Sequence, residues 1–289
     1  MLLDAALRDL ENRDARVRAQ AADALGRVET AERGAALSAL TRAVDDEHPS
    51  VRYAALLSLG ELAAGSAADA VAARLGDGEP LVREAAAIAL GQLGAGGGAR
   101  AWSALESALR AGEPEVRFQA VASLAEIDAA RAAPLVVALL DDDDAKVRAQ
   151  AAAALGDSGE RRYADRIARL LDDSDDVRNE AALALARLGD RRAVPTLVAA
   201  LAVADRALDA ATQLAALGLG EDAAARAALG HEVDRFFGDP LVKVRAAEAL
   251  ARAGDARGRA HLHKALRSRR ADVRGLAQSV LSDIGDADR

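Results

Sequence analysis

The apolar positions of this chain recur at long range. A block of 13 residues begins as VRAQAADALGRVE at Val17 and returns as VRYAALLSLGELA at Val51 and VREAAAIALGQLG at Val82. Further copies are VRFQAVASLAEID at Val116, VRAQAAAALGDSG at Val147 and VRNEAALALARLG at Val177, then a degenerate RALDAATQLAALG at Arg206. VKVRAAEALARAG at Val242 and VRGLAQSVLSDIG at Val273 complete nine copies. The fifth residue is Ala in every copy, from Ala21 to Ala277, and the ninth is Leu in every copy, from Leu25 to Leu281. Copies follow one another at intervals of 29 to 36 residues, a period that marks one supersecondary unit per repeat.

The spacing inside the block predicts a helix. Val, Ala, Leu and the next apolar residue sit at offsets 0, +4, +8 and +11, which share an arc of about 80° at helical pitch. Offsets +5 and +9 flank that arc and are mostly small, so a neighbouring helix can approach closely. Offsets +2, +3, +6 and +10 fall on the opposite side and are expected to face outward. Glycine often closes the block, as at Gly94, Gly189, Gly218, Gly254 and Gly285, and reads as a helix stop. A second, more variable apolar segment precedes each block, for example AALSALTRAV or AVPTLVAAL, and turns such as HPS, EPL, EPE and DPL join the two. Asp or Glu with Pro at that place favours a helix start. Each repeat is therefore read as helix A, turn, helix B, loop, with B helices starting near residues 17, 51, 82, 116, 147, 177, 206, 242 and 273.

The pattern D-P-x-V-R-x-x-A-x-x-x-L-G resembles the HEAT repeat, specifically the short bacterial HEAT-like type first named from phycobilisome lyases. Glu79-Pro80-Leu81-Val82-Arg83 and Asp239-Pro240-Leu241-Val242-Lys243 carry the clearest matches. The resemblance extends over nearly the whole chain. It weakens in the short first helix A and at Arg206-Ala207, which replaces Val-Arg. It implies an all-α fold, a right-handed α-solenoid of about nine HEAT-like helix pairs forming a single array over residues 1–289. A helices would line its convex side and B helices its concave side. In such an array each pair buries its apolar face only against its neighbours.

Composition narrows the chemistry. Among 289 residues, 51% are hydrophobic but only 2% aromatic, and 77 are alanine, a core suited to close helix packing rather than to sheets or aromatic-lined cofactor pockets. Without cysteine there is no disulfide, thiolate chemistry or Cys-ligated metal. A net charge of −8 disfavours nucleic acid as the main ligand. The N-terminus carries Asp4, Arg8 and Asp9 where a signal core would be apolar, and no stretch of 18 uncharged apolar residues occurs, so a cytoplasmic protein that does not enter a membrane is expected.

Two constellations stand out. The basic residue at offset +1 recurs as Arg18, Arg52, Arg83, Arg117, Arg148, Arg178, Lys243 and Arg274. Such a row could grip an acidic chain. The helical wheel instead places it at the edge of the buried arc beside the acidic turns, where it is read as a structural ladder to Asp or Glu of its own or the adjacent turn. The second constellation is the outward face of the B helices. Tyr53, Leu57, Ile88 and Phe118 are apolar there and are bordered by Glu61, Glu84, Gln92, Gln119 and Glu126. This is read as a docking site for a protein or peptide, expected to be basic because acidic clusters such as Asp141 to Asp144 mark the A–B turns. Other concave slots also hold acids (Asp23, Asp157, Glu180, Asp209 and Glu248), which suits a phosphate backbone poorly.

Neither the aspartate runs nor the four histidines fit a metal-binding pattern: no D-x-D-x-D-G loop is present, and His261 and His263 point apart on a helix. The pair His231-Glu232 is similar to those of HEAT-like deoxyhypusine hydroxylases, which need several such pairs; one does not suffice. No catalytic residue, metal or cofactor is assigned. The glycine run Gly94 to Gly98 is read as a flexible loop, and Phe236-Phe237 as filling a gap between misaligned helices. The function expected is a non-catalytic interaction scaffold. The alternatives are a lyase or lyase-like accessory subunit resembling the phycobilin lyases, and a regulatory subunit of an enzyme.

Overall fold

The computed structural model describes residues 2–219, 222–235 and 237–287, so Phe236 lies outside the described residues. Among these the chain is all helix and turn, with no strand. It divides into two compact units, residues 1–154 and 155–289.

The first unit holds α1 (Leu2–Asp9), α2 (Ala15–Gly26), α3 (Arg33–Ala43), α4 (Pro49–Glu61), α5 (Ala68–Ala73), α6 (Pro80–Ala108), α7 (Pro114–Val136) and most of α8 (Ala145–Asp157). The second holds α9 (Ala164–Ala168), α10 (Asp175–Arg187), α11 (Val194–Ala200), α12 (Ala207–Leu217), α13 (Ala223–Asp234), α14 (Pro240–Arg252), α15 (Ala256–Ala265) and α16 (Ala271–Ala287). A helix covers most of each of the nine blocks, starting two residues ahead of the Val position in eight of them and at Ala207 in the degenerate seventh.

Local chemistry sets these starts. Pro49, Pro80, Pro114 and Pro240 occupy first turns, where a missing N–H costs nothing. Asp14 accepts the amide of Arg16 at 2.8 Å, and Asp239 that of Leu241 at 2.7 Å. Glu79 and Glu113 occupy the same cap position without a side-chain cap, being one methylene longer.

Two layers result in each unit. In the first, α2, α4, α6 and α7 pack side by side; in the second, α10, α12, α14 and α16 do so, with α11, α13 and α15 behind. The invariant slots form the seam. Ala55, Ala86, Ala120, Ala151, Ala181, Ala246 and Ala277 are fully buried, as are Leu25, Leu59, Leu90, Leu124, Leu155, Leu185, Leu214 and Leu250. Truncating one of these leucines to alanine is expected to cost about 2–5 kcal/mol, because rigid neighbours leave a cavity. Leu281, on the last helix, is only half-buried.

Three features depart from the sequence reading. The Gly94–Gly98 segment does break the helical backbone between helix B and the next helix A, but as a kink rather than an extended loop. Helix continues on both sides of a kink, with Gly94 and Gly98 taking φ of 43° and 57°, values that glycine adopts without steric penalty. Gly285 is no stop: α16 runs on to Ala287. Phe237 fills no gap, for it is 80% exposed, while its neighbour Phe236 lies outside the described residues.

Candidate functional site: the B-helix face of the first unit

All nine residues of the expected docking face fall on three successively packed helices of one unit. Tyr53, Leu57 and Glu61 lie on α4, Glu84, Ile88 and Gln92 on α6, and Phe118, Gln119 and Glu126 on α7. Tyr53 is 38% exposed, while Leu57, Ile88 and Phe118 are half-buried. Glu61, Gln92 and Glu126 are exposed, and Glu84 and Gln119 half-buried. Three of the four apolar members are thus half-buried, and three of the five polar ones are exposed.

The helices beneath this face approach closely because small residues separate them. Ser58 donates from Oγ to the carbonyl of Ala22 at 2.9 Å, and Ser123 does the same to Ala87 at 3.2 Å, joining α4 to α2 and α7 to α6. Gln119 donates to Ser123 Oγ at 3.3 Å, so its amide is tied into that seam. Gln92 lies across Gly60, its Oε1 within 2.0 Å of where a Cβ would stand.

A shallow pocket opens between Phe118 and the next turn. Glu84, Pro114, Glu115, Phe118, Asp144 and Lys146 line it. Glu84 and Phe118 were read from the sequence; Tyr53 and Leu57 do not line this pocket. Glu115, Asp144 and Lys146 were missed as members of it. They hold the turn positions just before a block, and the signal that would have found them is that offset +2 of one helix abuts the turn of the following repeat. Asp144 Oδ1 accepts the amides of Lys146 at 2.8 Å and Val147 at 3.2 Å, which fixes that wall.

The basic slot at offset +1 has a separate geometry. Arg18, Arg52, Arg83, Arg117 and Arg148 each donate from Nη1 to the carbonyls six and five residues earlier, at 2.6–3.2 Å, folding over their own turn. Arg274 does the same to Ser268 and Arg269. The remaining nitrogens of Arg18, Arg52 and Arg117 reach forward to the next turn. Arg18 places Nε and Nη2 on the two oxygens of Asp46, both at 2.8 Å. Arg52 does so on Asp77 at 2.8 and 2.7 Å, and Arg117 on Asp142 at the same distances. Each aspartate also accepts the amide two residues on, at His48, Glu79 or Asp144. Burial works against the charge of these carboxylates. The arginine and amide hydrogen bonds outweigh it and hold Asp46, Asp77 and Asp142 below the usual carboxylate range. Arg83 breaks the series, since Ala111 stands where the aspartate belongs. Its Nη2 turns to Glu113 at 2.8 Å, and its buried Nε has no partner among the described residues. Arg178 pairs with Asp175 and reaches the carbonyl of Asp173 at 3.4 Å, and Lys243 donates to the carbonyl of Arg235.

In the second unit arginines bridge the opposite loops. Arg161 donates from Nε to the carbonyl of Leu188 at 2.9 Å, and Arg191 to those of Gly218 and Leu219 at 2.7 and 2.8 Å. Each covers carbonyls at the C-terminal end of a B helix, which carry the negative end of its dipole. Glu248, read as an outward-facing acid, is instead buried and held by Arg245 at 2.7 Å and Arg252 at 2.8 Å. Glu232, beside His231, is buried and held by Arg235 at 2.9 Å. Among the described residues no three metal-ligating side chains converge, and no helix is long and apolar enough to cross a membrane.

Comparison with known proteins follows the same lines. The model of HEAT repeats matches residues 2–91, 39–125, 68–156, 102–185 and 132–220, and that of the PBS lyase HEAT-like repeat matches residues 242–268. No curated protein sequence matches the chain. Among solved structures, YibA of Escherichia coli is similar at 20% identity and a TM-score of 0.64, over 86% of this chain and 92% of that one. The complex of CpcE and CpcF of phycocyanin lyase from Nostoc sp. PCC7120 matches at 21% identity, covering 98% and 94% of the two chains, with a TM-score of 0.48. Human deoxyhypusine hydroxylase matches at 20% identity over 99% and 96%, with a TM-score of 0.39.

Proposed function

The chain belongs to the HEAT-repeat family, and from that premise we propose that it is a non-catalytic scaffold whose B-helix face in the first unit docks a segment of a protein partner. One observation carries the proposal. Tyr53, Leu57, Ile88 and Phe118 lie exposed or half-buried on three adjoining helices of a chain with only six aromatic residues. Apolar side chains at a face with a polar rim are the usual anatomy of a binding patch. Glu61, Glu84, Glu115 and Glu126 make that rim acidic, which suits a partner segment with Lys or Arg flanking an apolar anchor. The face is built from packed helices, so little ordering entropy is lost on association.

Affinity capture from the native lysate, with the wild type and with Tyr53→Ala/Phe118→Ala, tests this. Both side chains leave the invariant seam intact, so helicity should be unchanged while the captured partner is lost. Unchanged capture rules the face out. A second reading, an accessory subunit of a bilin lyase, is favoured by the PBS lyase HEAT-like repeat at residues 242–268. Titration with a bilin, followed by absorbance, separates the two: a saturable spectral change supports the second reading and none supports the scaffold.

A further inference from the structure

The charge of this chain is unevenly placed. Residues 235–274 carry eleven Lys and Arg against four Asp and Glu, within a chain whose net charge is −8. Part of that excess lines one pocket of the second unit. Asp234 and Arg235 come from the end of α13, Lys243 from the first turn of α14, and Arg257, His261 and Lys264 from a single face of α15. The spacing 257, 261, 264 is one helical stripe, which is why three side chains of α15 reach one opening.

The cations of the pocket are not equally committed. Arg235 is turned to the buried Glu232 at 2.9 and 3.1 Å. Arg257 is held by Asp255 at 2.8 Å and lies 3.8 Å from Asp234. Lys243 donates to the carbonyl of Arg235, a neutral partner. Lys264 and His261 have no hydrogen bond or ion pair among the described residues. Two ammonium groups therefore face the opening without a carboxylate of their own, beside a half-buried imidazole. Burial holds the His261 imidazole below its ordinary pKa, Lys243 and Lys264 add to that, and Asp234 opposes it.

We propose that this pocket binds a phosphate dianion, either free or as a phosphomonoester on a ligand, with Lys243 and Lys264 supplying the two charges and His261 a ring nitrogen donor. Lysine acts as a point charge toward phosphate, and two such charges match a dianion where a single carboxylate would leave one unneutralised. Asp234 repels the anion and sets a limit on affinity, while Arg257 adds a partly screened charge. The pocket is separate from the docking face of the first unit and stands whether or not that reading holds.

The test uses the full chain at constant ionic strength. Inorganic phosphate is titrated while the histidine ring resonances are followed by NMR, and the His261 pKa is measured with and without saturating phosphate. A saturable shift of the His261 resonances is expected, with its pKa rising, since the bound dianion offsets the lysine charges. Lys243→Ala/Lys264→Ala should weaken binding roughly tenfold or more, the scale of losing charge-assisted contacts. Lys264→Gln alone, at an exposed position, should weaken it in the same direction without affecting the fold. A phosphoserine peptide that binds more tightly than free phosphate, where its unphosphorylated form does not bind, assigns the esterified source; equal or weaker binding assigns the free ion. An unmoved His261 pKa, binding indifferent to both lysine variants, or a response to an oligonucleotide with none to phosphate would each overturn the proposal.

Discussion

Ala111→Asp should stabilise the protein. At three repeat junctions an arginine grips both oxygens of an aspartate five residues ahead of the next block's Val, and that aspartate also accepts an amide of its own turn. Between α6 and α7, Arg83 finds Ala111 at that place, keeps Nε unpartnered, and turns Nη2 to the more exposed Glu113. The Ala111 carbonyl already accepts from Arg117, so the turn has the backbone course of its counterparts. A carboxylate there would accept from Arg83 Nε and Nη2 and from the Glu113 amide. Hydrogen bonds to charged groups contribute about 1.5–3 kcal/mol each at most. Desolvation of the new carboxylate and repulsion from Glu113 remove much of that. A net gain of about 1 kcal/mol remains, equivalent to some 2–4 °C in the thermal midpoint for a unit of this size. Circular dichroism melts and urea titrations of the wild type, Ala111→Asp, Arg83→Ala and the double variant measure it. The argument requires a coupling of about 1 kcal/mol between the two positions. If Ala111→Asp gave the same gain in the Arg83→Ala background, or none at all, the ladder would not be what stabilises these junctions.

The same geometry makes three further predictions. Asp142→Ala should destabilise by about 3 kcal/mol in urea titration, since it strands the poorly exposed Arg117; a loss below 1 kcal/mol would mean that water replaces the carboxylate (both approximate). Because Asp46, Asp77 and Asp142 are held low when folded, the unfolded chain binds more protons as the pH drops below about 4; their stabilisation is complete above that pH and fades beneath it. Changing all three to Asn should flatten the acid limb of a stability–pH curve, and an unchanged limb would refute the assignment. Gly189→Ala should lower the thermal midpoint by the equivalent of about 1–2 kcal/mol, since Gly189 has φ of 72° and a Cβ would meet Arg161 Nη2 at 2.5 Å; Arg161→Ala in the same chain should relieve only the steric part.

Period was the legible part of this chain, and partnership was not. The Ala and Leu slots could be read as a buried seam because they obey a rule internal to one helix: offsets four and eight lie on one face whatever the surroundings. The residues of the proposed docking face were placed on their three helices by the same rule. Partnership across repeats obeys a different one. Arg18 meets Asp46, 28 residues away, and Arg52 meets Asp77, 25 residues away, so the pairing follows the loop and helix lengths in between. A helical wheel puts the arginine beside acidic turns but cannot say which turn, or that Ala111 leaves one arginine short.

Glu248 and Phe237 failed for related reasons. Offset +6 faces outward on an isolated wheel, yet on α14 the flanking Arg245 and Arg252 fold over Glu248 and neutralise it, so burial costs less than an unpaired acid would suggest. Phe237 was assigned to a gap because Gly238 and Pro240 bound its position beside a misaligned helix, and it is exposed all the same. In a stack, a side chain's surroundings are set as much by the repeat before and after as by its own helix. Each repeat can therefore keep its seam unaltered while its turns and outer slots diverge. Ala111 is such a departure, an alanine where three other turns carry the aspartate, and it lies outside the Ala and Leu slots by which the fold is recognised.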